Sequence, residues 1–129
     1  MNGPDRTKIK VLLADDHEIV RARIRALIRA EADMEVVGEA EDGKQAVRMA
    51  RELDPDVIVM DVNMPVMNGI RATGLIVAEN PAAKVLILSM HRNGPSVEAA
   101  SRAGAREYLS KDMAFEDLIA AIRAAAAQT

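Results

Sequence analysis

The chain has 129 residues, half of them hydrophobic and 29% charged, which suits one globular domain with enough length to bury a core. A formal net charge of -3 gives no basis for non-specific nucleic-acid binding, and the lack of cysteine excludes disulfides and thiolate metal sites. No apolar run in the sequence is long enough to span a bilayer and the N-terminus has no apolar signal core, so a cytoplasmic location is expected.

Residues 1–7 are polar and read as a frayed tail on a single domain covering 1–129. Ile9 to Ala14 reads as a first strand ending in Asp15-Asp16. A helix follows from His17 to about Glu31, capped by Asp16 or His17, with Val20, Ile24, Leu27 and Ile28 at helical spacing. Its arginines, Arg21, Arg25 and Arg29, read as a solvated face. Met34 to Ala40 is a second strand. Asp42-Gly43 turns the chain into a second helix that closes at Asp54-Pro55-Asp56, because proline disfavours a helical residue before it.

Val57 to Met60 is an apolar, largely β-branched run, as expected of a strand buried on both faces, and it ends in Asp61. Pro65 and Asn68-Gly69 break the chain before a third helix from Gly69 to about Glu79, weakened by Gly74 and ended at Asn80-Pro81. Lys84 to Ser89 is a fourth strand, Ser96 to Arg102 a fourth helix, and Arg106 to Ser110 a short fifth strand. The last helix, Ala114 to Ala127, presents Phe115, Leu118, Ile119 and Ile122 at i, i+3, i+4 and i+7. Tyr108 and Phe115 are the only aromatic residues, so the core must be aliphatic, with the methionines as filler.

Five strands alternating with five helices predict an α/β fold, a parallel sheet with helices on both faces. In such sheets sites form beyond the carboxyl ends of the strands. Those ends carry Asp15 and Asp16, Asp61, Ser89 and Lys111. Two like charges about 4 Å apart repel by roughly 4 kcal/mol at an effective dielectric near 20. Three carboxylates together therefore call for a neutralising partner. A hard divalent cation with oxygen ligands suits them, Mg²⁺ above all, and Lys111 can neutralise further charge. One carboxylate is then free to act as a nucleophile toward phosphorus, with Ser89 donating to the arriving phosphoryl group. No glycine-rich phosphate loop follows the first strand, which argues against a nucleotide or flavin site.

Asp15-Asp16, the run Met60-Asp61-Val62-Asn63-Met64-Pro65 with Gly69, Leu88-Ser89-Met90-His91 and Tyr108-Leu109-Ser110-Lys111 resemble the receiver domain of two-component response regulators, in particular the NarL-like branch. The resemblance covers about Lys8 to Ala125. It implies a flavodoxin-like (βα)5 fold with strand order 2-1-3-4-5, and Asp61 as phosphoacceptor. It implies Mg²⁺ held by Asp16, Asp61 and the Asn63 carbonyl, with Asp15 acting through a water and orienting Lys111. Ser89 and Tyr108 become the switch pair. The expected partner is a sensor histidine kinase, the chemistry self-catalysed phosphorylation and dephosphorylation, and the output face the fourth helix, fifth strand and fifth helix. Dimerisation on phosphorylation is a further expectation. DNA would be reached only through a C-terminal domain that this chain does not include.

The chain departs from many receivers at Asp112, where they carry proline after a cis bond, and at Met90, where they carry a small residue that leaves the phosphoryl path open. His91 and His17 read more simply as a surface loop residue and a helix-start residue than as a general base and a metal ligand. Tyr108 alone would be a half-buried strand residue. Two rival functions stand beside the receiver. One is a metal-dependent phosphatase with an aspartyl nucleophile, disfavoured because Asn63 stands where such enzymes carry a second Asp. The other is a degenerate receiver serving as a scaffold.

Overall fold

The computed structural model describes residues 8–90 and 94–128. Its elements alternate in chain order: β1 (Ile9–Ala14), α1 (Glu18–Arg29), β2 (Met34–Ala40), α2 (Gly43–Leu53), β3 (Val57–Met60), α3 (Gly69–Glu79), β4 (Val85–Ser89), α4 (Gly94–Ala103), β5 (Glu107–Ser110) and α5 (Phe115–Ala127). All neighbouring strands pair in parallel and form one sheet in the order β2-β1-β3-β4-β5. The expected 2-1-3-4-5 order holds, and β1 and β2 end where the sequence places them.

Alternation along the strands divides the core in two. Val11, Leu13, Val57, Val59, Leu86 and Leu88 face α1 and α5, where Ile24, Ile28, Leu118 and Ile122 meet them. Leu12, Ile58, Met60, Val85, Ile87 and Tyr108 face the other way, with Ala46 of α2, Ala72 and Ile76 of α3, and Ala100 of α4. Because β3 and β4 are buried on both faces, they tolerate no polar side chain before their last residue. Polar chemistry is thereby confined to the strand ends.

The helix starts are chemically explicit in two cases. Asp42 caps α2 by accepting from the Gln45 amide at 2.8 Å, while the Gln45 side chain accepts from the Glu41 amide at 3.0 Å. Asn68 caps α3 by accepting from the Arg71 amide at 2.8 Å. The cap of α1 is one of the two residues expected. His17 occupies the cap position without a side-chain cap bond, and it is the Asp15 carboxylate that accepts from the His17 amide, at 2.8 Å.

Two further expectations are corrected. Arg21 and Arg25 do not belong to a solvated face. Arg21 is only 8% exposed, and both donate to the Glu39 carboxylate on β2. Glu39 projects from an edge strand beside α1 and offers a charge the helix can pair with, which the helix's own periodicity cannot reveal. Phe115 is 52% exposed although Leu118, Ile119 and Ile122 are buried. It is the first residue of α5, a turn before the helix settles on the sheet, and it lines an apolar groove with Val20, Met90 and Met113. Met90 lies on that same groove and is 68% exposed.

Candidate functional site

The carboxyl ends of β1, β3, β4 and β5 converge. Each backbone is pinned by its neighbours: the Asp61 amide donates to the Ala14 carbonyl at 2.8 Å, and the Lys111 amide to the Ser89 carbonyl at 2.8 Å. Arg21 donates to the Asp15 carbonyl at 2.6 Å, so α1 holds the end of β1 from the side. The β3–α3 loop closes over the site through the Gly69 amide, which donates to the Val62 carbonyl at 2.8 Å. Gly69 also packs directly against the Asp61 carbonyl, which leaves no room there for a side chain.

Asp15 and Asp61 are each only 4% exposed. The Lys111 ammonium lies 2.7 Å from Asp15 Oδ2 and 3.3 Å from Asp61 Oδ2. Asp16 is exposed at the rim. Ser89, 2% exposed, ends β4. Asn63 is exposed in the loop after β3, and Tyr108 is buried in the core shared with α4 rather than in the acidic cluster. His91 lies outside the described residues, as does the 1–7 tail. Among the described residues there is no cis peptide bond, so the Lys111–Asp112 bond is trans. The Asp112 carboxylate instead accepts from the Ser110 hydroxyl.

Sequence reasoning missed Arg21 in this neighbourhood and read His17 as a helix-start residue rather than a metal ligand. Arg21 holds the Asp15 carbonyl, and His17 places Nδ1 3.0 Å from Asp15 Oδ1 and 3.2 Å from Asp16 Oδ1. Their spacing from Asp15 at the start of a helix was the available signal, one that strand ends alone do not carry.

Burial, then the neighbouring Asp15 carboxylate, push the Asp61 carboxyl above its ordinary range, against the pull of Lys111. Asp61 Oδ2 is buried and accepts no well-formed hydrogen bond. The Lys111 ammonium at 3.3 Å is its charge partner, and a divalent cation would add the coordination that this ion pair does not supply. Ligand atoms of Asp15, Asp16, His17 and Asp61 all lie within 4.8 Å of one another, so this cluster could hold a metal ion, and its oxygen-dominated donor set fits a hard divalent cation.

This electrostatic tension has a measurable consequence. A carboxyl with a raised pKa in the folded state contributes stability that is fully present below its unfolded value, about 4. That contribution is lost as pH rises through the folded value. At neutral pH without metal, the Asp61 charge therefore works against the fold. Asp61→Asn should melt several degrees higher than the parent at pH 7 in chelator. The gap should close as pH falls toward 4, as a series of thermal melts would show; a lower melting temperature at pH 7 would contradict the argument.

The fold and this cluster define a receiver-type signalling module. A family model, response regulator receiver domain, matches residues 11–123, and the chain belongs to that family. It is 45% identical over 117 residues to the transcriptional regulatory protein LiaR of Bacillus subtilis (strain 168), covering 91% of this chain and 56% of LiaR. It is 39% identical over 117 residues to the nitrate/nitrite response regulator NarL of Escherichia coli (strain K12), covering 91% of this chain and 54% of NarL. Among solved structures, the response regulator domain of Thermotoga maritima CheB superposes with a TM-score of 0.88 at 34% identity, covering 95% of this chain and 98% of that one. The chain spans about half the length of the curated relatives it matches. Among the described residues, no helix is long and apolar enough to cross a membrane.

Proposed function

We propose that Asp61 is the phosphoacceptor of a two-component receiver and that its phosphorylation is the signal this domain transmits. The observation that carries the reading is the buried, incompletely satisfied Asp61 Oδ2 at a strand end, facing Lys111 and flanked by Asp15 and Asp16. In the reaction, an Asp61 oxygen forms a bond to phosphorus as the phosphorus–nitrogen bond of a kinase phosphohistidine breaks. The electron pair leaves with the imidazole, which takes up a proton. Lys111 neutralises charge on the phosphoryl oxygens, and the Ser89 hydroxyl donates to one of them. Asp15 holds Lys111 in place through the 2.7 Å ion pair. Mg²⁺, held by Asp16, Asp61 and the Asn63 carbonyl with Asp15 through a water, would supply further charge neutralisation at the phosphoryl group. Dephosphorylation is the attack of water on the same phosphorus.

The switch is a population shift in which Ser89 and Tyr108 couple the site to the face formed by α4, β5 and α5. Tyr108 is packed against α4 at Ala100, which supports that route. The partner is a sensor histidine kinase in the cytoplasm. The match covers only 56% of LiaR and 54% of NarL, both regulators longer than this chain, which supports transcription as the output, through a DNA-binding domain in the full-length protein. A phosphorylation-linked dimer would sediment differently with a phosphate mimic, and unchanged sedimentation would count against it. The rival small-molecule phosphatase lacks a general acid/base at Asn63.

Intact mass after incubation with Mg²⁺ and acetyl phosphate tests the reading. One added phosphoryl group is expected, absent from Asp61→Asn and absent without Mg²⁺. No added mass at early times, with metal binding verified and a kinase donor also inactive, would leave the domain a scaffold.

A further inference from the structure

We infer that His17 supplies a nitrogen ligand, through Nδ1, to the divalent cation of the acidic pocket, and that this tilts the pocket toward imidazole-binding metals such as Ni²⁺ and Co²⁺. The inference rests on the reading of Asp15, Asp16 and Asp61 as a cation site. His17 Nδ1 lies 3.0 Å from Asp15, 3.2 Å from Asp16 and 4.0 Å from Asp61 Oδ2, so it faces all three carboxylates. A further sign that something belongs among these atoms is Asp61 Oδ2, buried and without a well-formed hydrogen bond, its charge met only by the Lys111 ammonium at 3.3 Å. The ring is positioned from its own backbone, because the His17 amide is held by Asp15 at 2.8 Å and the residue begins α1.

Beyond its contacts with Asp15 and Asp16, the imidazole is not packed into the core. The side chain is 61% exposed and makes no cap bond to the helix. Without a cation, Nδ1–H donates to Asp15. With one, the Nε2–H tautomer turns a lone pair toward the same point. Mg²⁺ prefers oxygen and retains its waters, so it gains little from this nitrogen, whereas softer divalent ions of the first transition row gain a bond.

The test is electron spin-echo modulation of the Mn²⁺-loaded protein together with calorimetric titration by Mg²⁺ and Ni²⁺. The comparison variant is His17→Asn, which places an amide N–H near Nδ1 and is a good helix cap. The chain has two histidines, so the variant also assigns the signal. Directly bound nitrogen should appear in the parent, shift on ¹⁵N-histidine labelling and vanish in His17→Asn. Ni²⁺ affinity should fall about tenfold or more, the scale on which changes in the ligand shell act, with Mg²⁺ affinity nearly unchanged. Absence of nitrogen coupling, or equal losses for both metals, would overturn the role of His17 and leave the carboxylate site standing. Mn²⁺ binding unaltered in Asp16→Asn and Asp61→Asn would overturn both.

Discussion

Gly69→Ala is expected to destabilise the domain by about 3 kcal/mol, the upper range for inserting a methyl group into packed structure. The reason is local and backbone-based. A Cβ at position 69 would lie 1.9 Å from the Asp61 carbonyl oxygen and 2.9 Å from its carbon. No rotamer change relieves a clash with main chain, so the β3–α3 loop or the end of β3 must move. Gly69 also donates to Val62 and accepts from the Thr73 hydroxyl at 2.7 Å, so the movement breaks contacts on both sides. Asp61 moves with it, and misplacement by about 1 Å can slow a positioned reaction on the order of a hundredfold. Gly74→Ala is the matched control. Its Cβ meets only Ala103 at 3.8 Å, an ordinary contact, and the position lies within α3. It should stabilise by about 0.5–1 kcal/mol through helix propensity. Urea denaturation of the two variants checks both signs; equal stabilities for parent and Gly69→Ala would refute the packing argument.

Lys111→Met should have an effect of similar size for an electrostatic reason. The ammonium is 7% exposed and sits between two carboxylates that are equally hidden from water. Removing one partner of a buried ion pair costs about 3–5 kcal/mol, because the remaining charge loses its compensation. Here two charges lose it. In chelator the loss should be full. In Mg²⁺ it should shrink, because a cation bound only by the folded state stabilises that state by mass action. Phosphoryl transfer should respond oppositely to metal binding. Mg²⁺ affinity should rise as the competing ammonium is removed, while the rate from acetyl phosphate should fall roughly a hundred- to a thousandfold, as when a transition-state donor is lost. Combining the change with Asp61→Asn should recover part of the lost stability. A Lys111→Met protein as stable in chelator as the parent would show that the carboxylates are not held ionised by this lysine.

Both expectations depend on features with different visibility in sequence. The parallel α/β architecture was legible because β3 and β4 are apolar on both faces and each helix carries its own period. Asp15, Asp16, Asp61, Ser89 and Lys111 were legible as strand-end residues, since a buried strand can place polar groups only where it leaves the sheet. Their roles came from the resemblance to receivers. The positions of Phe115, Arg21 and His17 were not legible. Phe115 fits the helical period of α5, yet periodicity says which side of a helix a residue occupies and not whether the sheet extends beneath it. Arg21 and Arg25 look like a charged outer face until Glu39, 18 and 14 residues away along the chain, is brought beside them by the pairing of β1 with β2.

By itself, then, the sequence determined the order and kind of the elements and the residues at their ends, because hydrophobic period and turn chemistry are local properties. The tertiary structure decided which ends meet. Strands that are distant in the chain lie side by side in the sheet, and only that adjacency brings the Lys111 ammonium onto Asp15 and Asp61, closes Gly69 over the Asp61 carbonyl and aims His17 into the acidic cluster.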